Sequence, residues 1–163
     1  MTMSLPVKLL FFQYLTPLVY AVLLYFIHIM PTDGQFGTVL LFLIGFYIGN
    51  MIMWLDGAVI YPYYNQLRTE PKQLMTHSVV FGLAYIPVSL FVHTSSGSVL
   101  GSGLVFAIGL TIASELFAFR LDDQSFQHRF LFQLKRQLSA QEITRVVWSA
   151  IGFMLFTTVL FFF

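Results

Sequence analysis

Long apolar runs separated by short polar pieces dominate this chain. Five of them approach the length of a membrane-spanning helix, which needs about 20 apolar residues at a rise of about 1.5 Å each. These runs cover residues 9–30, 37–60, 78–93, 99–119 and 146–163. The third is short and contains a proline, so a re-entrant hairpin formed by the third and fourth runs remains an alternative. The pattern predicts an all-α integral membrane bundle of about five transmembrane helices.

The longest polar segment, residues 120–145, has a helical pattern of its own. Its apolar residues recur about every fourth position, at Phe126, Phe130, Leu131, Leu134 and Leu138. Asp122 or Asp123 can cap the start of this helix. An apolar stripe with basic flanks is typical of a helix lying among anionic lipid headgroups. We therefore predict a cytoplasmic amphipathic interfacial helix over about 124–138.

A second helix start follows this segment. Ser139 and Glu142 have the capping-box spacing, in which the two side chains satisfy each other's free backbone N–H groups. We expect a new helix to begin near Ala140 and to continue into the fifth span.

The composition supports a membrane protein and excludes an ordinary soluble domain. Of the 163 residues, 58% are hydrophobic and 9% are charged, whereas globular domains have roughly 45–50% and about 25%. There is no cysteine, which excludes disulfides and thiolate chemistry. The first apolar run is longer than a signal-peptide core and no small-x-small cleavage site follows it, so it is expected to be a retained anchor.

The placement of basic residues predicts the topology. With five spans, all eight lie on one side of the membrane: Lys8, Arg68, Lys72, Arg120, Arg129, Lys135, Arg136 and Arg145. Because cytoplasmic loops carry the excess of Lys and Arg, that side should be cytoplasmic. The expected location is a bacterial inner membrane, with the N-terminus in the cytoplasm and the C-terminus outside.

Two carboxylates within the apolar runs are candidates for chemistry. Asp56 and Glu115 both lie toward the predicted cytoplasmic side, and Asn50 precedes Asp56 on the same run. An intramembrane acid is costly unless it is protonated, paired or near water, so these residues predict either interfacial salt bridges or a site for a cation or proton. Gly45 and Gly49 have the GxxxG spacing of close helix packing, within this chain or in a homodimer.

The four histidines raise the question of haem. Paired axial histidines on facing helices hold a b-type haem, and the candidates here are His28, His77, His93 and His128. They show no short metal-ligand spacing, and all four lie near the ends of spans. No metal or other cofactor is predicted, and a haem-carrying electron-transfer subunit is the weakest functional alternative.

The chain contains no nucleotide-binding loop, GxSxG elbow or HExxH motif, so no enzyme class is indicated. Its positive charges are few and adjacent to the bilayer, which argues against nucleic-acid binding. The leading hypothesis is a membrane subunit, scaffold or assembly factor that contacts anionic lipid headgroups, a membrane-protein partner or a second copy. The expected contact face is cytoplasmic and consists of Arg68, Lys72, Arg129, Lys135 and Arg136. A small cation or proton channel or transporter using Asp56 and Glu115 is the main alternative.

Overall fold

The computed structural model describes residues 35–64 and 74–162, together with the helical positions Leu15, Val19 and Val22. The first predicted span, 9–30, therefore lies almost entirely outside the described residues. Within them the regular structure is helical, and the predicted all-α bundle is confirmed.

Residues 35–64 and 74–162 contain six α-helices. They are α1 (Gln35–Leu55), α2 (Tyr61–Tyr64), α3 (Val79–Phe91), α4 (Val99–Phe119), α5 (Asp123–Phe130) and α6 (Ala140–Phe162). A π-helical segment, Asp56–Ile60, joins α1 to α2, and a second, Val92–Ser96, extends α3. A short 3₁₀ turn, Met75–His77, precedes α3.

Four stretches of helix in the described part are long and apolar enough to cross a membrane. They are Gly37–Tyr63, Val79–Ser96, Val99–Phe119 and Ala140–Phe161. The second and third correspond to the runs for which a re-entrant hairpin was an alternative, and their length favours two full crossings. Gly97, whose φ of 58° is in the left-handed region, ends the second stretch and lets the chain turn into α4.

α4 is the central helix of the described bundle. In the most apolar part of α4, 56% of the residues are buried, against 11% in the stretch that includes α3. Its packing against α1 depends on glycine. A Cβ placed on Gly45 would lie 2.0 Å from the carbonyl oxygen of Leu100, and one on Gly49 would lie 2.5 Å from that of Leu104. The GxxxG face therefore brings two helices of this one chain into backbone contact.

Two apolar clusters hold the bundle together. The first joins α1, α4 and α6 through Phe42, Phe46, Phe106, Ala107, Ala113 and Met154. The second joins α4, α5, α6 and the residue after α5, through Leu116, Phe126, Phe130, Leu131, Ile143 and Val147. Burying these side chains against one another fixes the relative positions of the helices at the end of the bundle that carries α5.

The predicted amphipathic helix differs from the observed one in length and in position. It begins as expected, with Asp122 as the N-cap accepting a hydrogen bond from the N–H of Ser125, but it ends at Phe130 instead of Leu138. Its apolar residues Phe126 and Phe130 are buried in the second cluster. The chain turns back here because Leu131 packs inside, and the side chain of Gln127 donates a hydrogen bond to the carbonyl of Leu138 at 2.8 Å.

The predicted start of the last helix is confirmed. α6 begins at Ala140. The N–H and hydroxyl of Ser139 donate to Oε2 of Glu142 at 2.9 and 3.0 Å, and the Ser139 hydroxyl accepts from the N–H of Glu142 at 3.4 Å. This reciprocal cap satisfies N–H groups that a helix start leaves free.

Candidate functional site: a buried polar chain

Asp56 lies where α1 changes to π-helical geometry. Its side chain is 1% exposed, and its Oδ2 accepts hydrogen bonds from the N–H of Thr76 at 2.7 Å and from the Thr76 hydroxyl at 2.6 Å. π-helical insertions occur frequently at functional sites. The acid is thus held inside the bundle by a residue twenty positions further along the chain.

Thr76 and His77 come from the 3₁₀ turn that precedes α3. Both are buried, and Ser78 then caps α3 by accepting a hydrogen bond from the N–H of Phe81 at 3.2 Å. The Thr76 hydroxyl is 3.0 Å from Nδ1 of His77. The imidazole packs against the ring of Phe130, with 5.7 Å between ring centroids. The turn therefore places a hydroxyl and an imidazole side by side in the interior.

Glu115, on α4, meets the other side of the imidazole. Its Oε2 is 3.0 Å from Nε2 of His77, an ion-pair distance, although the ring N–H direction is too oblique for a well-formed hydrogen bond. The same oxygen accepts hydrogen bonds from Nε of Arg129 at 2.9 Å and from its Nη2. Arg129 belongs to α5, so this carboxylate links three parts of the fold.

These five residues form one continuous set of contacts, which we call the polar chain: Asp56, Thr76, His77, Glu115 and Arg129. Two acids, one permanently charged guanidinium and one imidazole balance one another when the imidazole is protonated. Charges taken out of water are costly unless they are paired and hydrogen-bonded. The polar chain meets this requirement in part: among the described residues Oδ1 of Asp56 is buried without a hydrogen-bond partner, and Nε2 of His77 has the ion-pair contact with Glu115 but no aligned hydrogen bond.

The structure thus connects two of the predicted site residues and separates a third from them. Asp56 and Glu115 are linked through Thr76 and His77. Asn50 is not part of the polar chain: its Oδ1 accepts a hydrogen bond from the Thr111 hydroxyl at 3.2 Å, which adds a polar contact between α1 and α4.

Only some of the residues of the predicted contact face are exposed on the surface. Arg129 points inward, with a side chain that is 17% exposed and paired with Glu115. Lys135 and Arg136 are exposed, and Nη2 of Arg136 donates to Glu142 at 2.7 Å. Arg68 and Lys72 lie outside the described residues. The expected basic face therefore loses Arg129 because that side chain compensates a buried acid.

The three histidines that the structure describes lie in different parts of the bundle. His77 belongs to the polar chain, and His93 lies beyond the other end of α3, whose 13 residues span about 20 Å. His128 is exposed on α5, and His28 is outside the described residues. In residues 35–64 and 74–162, no group of three or more His, Asp or Glu side chains is arranged to hold a metal ion.

Sequence reasoning missed Thr76 and assigned His77 only to the haem alternative. Their role depends on a turn geometry and on contacts with residues twenty or more positions away, which no short motif reports. The available signal was a polar Thr-His-Ser run at the start of an apolar span, which marked a helix cap but gave no partner.

The fold and the polar chain define a class: an α-helical membrane protein with a buried, internally paired cluster of ionisable groups near one end of its bundle. Comparison of the chain with protein-family models, curated proteins and solved structures finds no match. Its function must therefore be argued from the arrangement of its own residues.

Proposed function

We propose that the protein is a non-catalytic membrane subunit or assembly factor that contacts a partner through the surface next to α5. One observation supports this proposal above others: α5 is fixed to the bundle by both apolar and ionic contacts. Phe126 is fully buried and Phe130 is 3% exposed, while Arg129 binds Glu115. The segment that follows is thereby presented in a defined position.

That segment, residues 132–139, is the proposed contact surface and is called here the basic segment. It is largely exposed and carries Lys135 and Arg136. A preorganised surface loses less conformational freedom on binding than a mobile one, and clustered basic side chains favour an acidic partner surface. We therefore propose a membrane-protein partner with an acidic patch at the same membrane face.

Location in a bacterial inner membrane, with the basic segment in the cytoplasm, is part of the proposal. It is supported by the one-sided distribution of all eight Lys and Arg residues in the five-span arrangement. A C-terminal reporter that is active only outside the cytoplasm should give a signal, and a reporter inserted after Gln137 should not. The reverse pattern would overturn the topology.

The partner proposal is tested by isolation of the protein from native membranes in mild detergent. We expect a protein partner to co-purify in stoichiometric amount with the wild type. The amount that co-purifies should fall at least tenfold with a Lys135→Glu variant. Arg145→Glu is the matched control, since it makes the same charge change at an exposed position on α6, and it should retain the partner. A stable homo-oligomer with no other protein, or equal loss in both variants, would contradict the proposal.

A cation or proton transporter remains the second candidate because the polar chain links Asp56 to Glu115. The linkage is local, however, and the described cluster between α1, α4 and α6 is apolar. If transport occurs, ion flux into liposomes should fall in Asp56→Asn and Glu115→Gln variants. Flux that survives both substitutions would exclude a carboxylate mechanism.

A further inference from the structure

The contacts within the polar chain require a definite number of hydrogen atoms. Three consecutive contacts join Oδ2 of Asp56 to Oγ1 of Thr76 at 2.6 Å, Oγ1 to Nδ1 of His77 at 3.0 Å, and Nε2 of His77 to Oε2 of Glu115 at 3.0 Å. Every atom in this series can accept a hydrogen bond. Two such atoms attract each other only when a hydrogen lies between them or one of them belongs to a charged donor, so three hydrogens are needed.

The residues supply only two when the acids are ionised and the imidazole is neutral. The Thr76 hydroxyl has one hydrogen and a neutral imidazole has one, whereas an ionised carboxylate has none. Among the described residues, the other donors at these acids do not supply the third hydrogen. The N–H of Thr76 is used on Oδ2 of Asp56, and the Arg129 N–H groups approach Glu115 from α5.

We infer that the polar chain is a proton-binding site that holds one additional proton, shared by Asp56, His77 and Glu115. Without that proton, either Nδ1 would face the Thr76 oxygen or Nε2 would face the Glu115 oxygen with lone pairs on both atoms. Such a contact is unfavourable in a buried site, where the effective dielectric constant is low. The inference is independent of any partner for the basic segment.

The additional proton can be bound by His77, by Glu115 or by Asp56, and the total charge is the same in each case. With both acids ionised it makes His77 an imidazolium, which donates to Thr76 from Nδ1 and faces Glu115 from Nε2. With Glu115 protonated, the Oε2–H faces a bare Nε2. With Asp56 protonated, the Oδ2–H donates to Thr76 and the Thr76 hydroxyl donates to a bare Nδ1. Each arrangement places one hydrogen in each of the three contacts.

The Thr76 hydroxyl connects His77 to Asp56 and can pass the proton between them. When Nδ1–H of His77 is broken and the proton joins Oγ1 of Thr76, the hydrogen already on Oγ1 passes to Oδ2 of Asp56. One N–H and one O–H bond break and two O–H bonds form, and Thr76 ends with a single hydrogen as it began. Oδ1 of Asp56 has no hydrogen-bond partner in the described part of the chain, and both hydrogen bonds to Oδ2 come from Thr76.

The wild-type protein tests the proton count directly. Full-length protein in lipid nanodiscs at pH 7.5 is examined by ¹⁵N NMR of its histidine rings and by infrared spectroscopy of protonated carboxyl groups. The His77 signals are assigned by their loss in His77→Asn. We expect either His77 protonated on both nitrogens, or His77 with one proton together with a carboxylic-acid band that disappears in Asp56→Asn or Glu115→Gln. A singly protonated His77 with no such band would overturn the inference.

Variants then test how the proton is held. Glu115→Gln should leave His77 with a hydrogen on Nδ1 only, because the ionised oxygen beside Nε2 is gone. Glu142→Gln is the matched control, since Glu142 lies outside the polar chain, and it should keep the wild-type spectrum. Thr76→Ser retains the hydroxyl and should preserve the count, whereas Thr76→Val should confine the proton to His77 and Glu115. If the wild-type His77 carries hydrogens on both nitrogens, a His77 that keeps both of them in Glu115→Gln would contradict a shared proton.

Discussion

Thr76 donates two hydrogen bonds to a single carboxylate oxygen of Asp56, one from its backbone N–H at 2.7 Å and one from its hydroxyl at 2.6 Å. This contact fastens the 3₁₀ turn before α3 to the π-helical segment after α1. It also explains why an acid in an apolar run is retained in the interior, because both donors are buried and need an acceptor.

Removal of the Asp56 carboxylate should therefore destabilise the bundle. Asp56→Ala removes the acceptor of two buried donors, and we expect a loss of about 2–4 kcal/mol in the free energy of unfolding. Asp56→Asn retains an accepting oxygen and should lose less than half as much. Unfolding in mixed detergent micelles, followed by circular dichroism, measures both variants. Equal stability of Asp56→Ala and the wild type would show that the contact contributes nothing.

The close approach of α1 and α4 makes a second prediction. A Cβ on Gly45 would overlap the carbonyl of Leu100, and since this is backbone the helices must separate. Gly45→Ala should cost about 1–3 kcal/mol. Gly152→Ala is the matched control in α6: no atom of the described residues lies within 4 Å of a Cβ there, so the change should stay within about 1 kcal/mol. The same unfolding assay applies, and equal effects would argue against glycine-dependent packing.

The sequence was sufficient for features that depend on local pattern. Apolar runs gave the class of protein, and the Ser139–Glu142 spacing gave the start of α6. Of the two predicted caps of α5, Asp122 and Asp123, the structure confirms Asp122. These features follow from helix periodicity and from groups that must be satisfied within one turn, so neighbours in the sequence contain the needed information.

Features that depend on tertiary contacts were not accessible in the same way. The stripe from Phe126 to Leu138 is equally suited to a lipid surface and to a protein interior. In the structure Phe126, Phe130 and Leu131 are buried in one cluster with Ile143 and Val147, whereas Leu134 is exposed. Likewise Asp56 and Glu115 were recognised singly, but their link through His77 requires the turn before α3. The periodicity of a sequence shows which face of a helix is apolar, but it does not show whether lipid or protein packs against that face.

Arg129 and Arg136 provide a matched comparison of a buried and an exposed ion pair. Arg129 and Glu115 are 17% and 14% exposed, whereas Arg136 and Glu142 are 75% and 32% exposed. Arg129→Ala removes the guanidinium from a buried acid and leaves His77 as its remaining ion-pair partner, and we expect a loss of about 3–5 kcal/mol. Arg136→Ala should cost about 0–1 kcal/mol.

Amide hydrogen exchange across residues 123–130 checks this comparison. α5 should lose protection in Arg129→Ala because its ionic link to α4 is broken, and it should keep protection in Arg136→Ala. If protection were the same in both variants, the apolar contacts of Phe126 and Phe130 would be sufficient to hold α5, and the ion pair would not be the reason that the basic segment is fixed.

The N-cap of α5 should respond to acid. A hydrogen bond from the Ser125 hydroxyl, together with one from its N–H, lowers the pKa of Asp122 below its usual value. The pKa of Asp122 is lower in the folded protein than in the unfolded chain. The cap therefore contributes its full stabilisation above the ordinary Asp pKa of about 3.9. That contribution is lost as the pH falls through the folded value.

Exchange protection at the start of α5 should accordingly decrease below about pH 4 in the wild type, after correction for the intrinsic pH dependence of exchange. Asp122→Asn keeps a capping oxygen without a titrating proton, so its corrected protection should be flat over the same range. Asp123→Asn is the control on the neighbouring acid, which is not the N-cap residue of α5, and it should behave like the wild type. A decrease of equal size in Asp122→Asn would assign the acid response to another group.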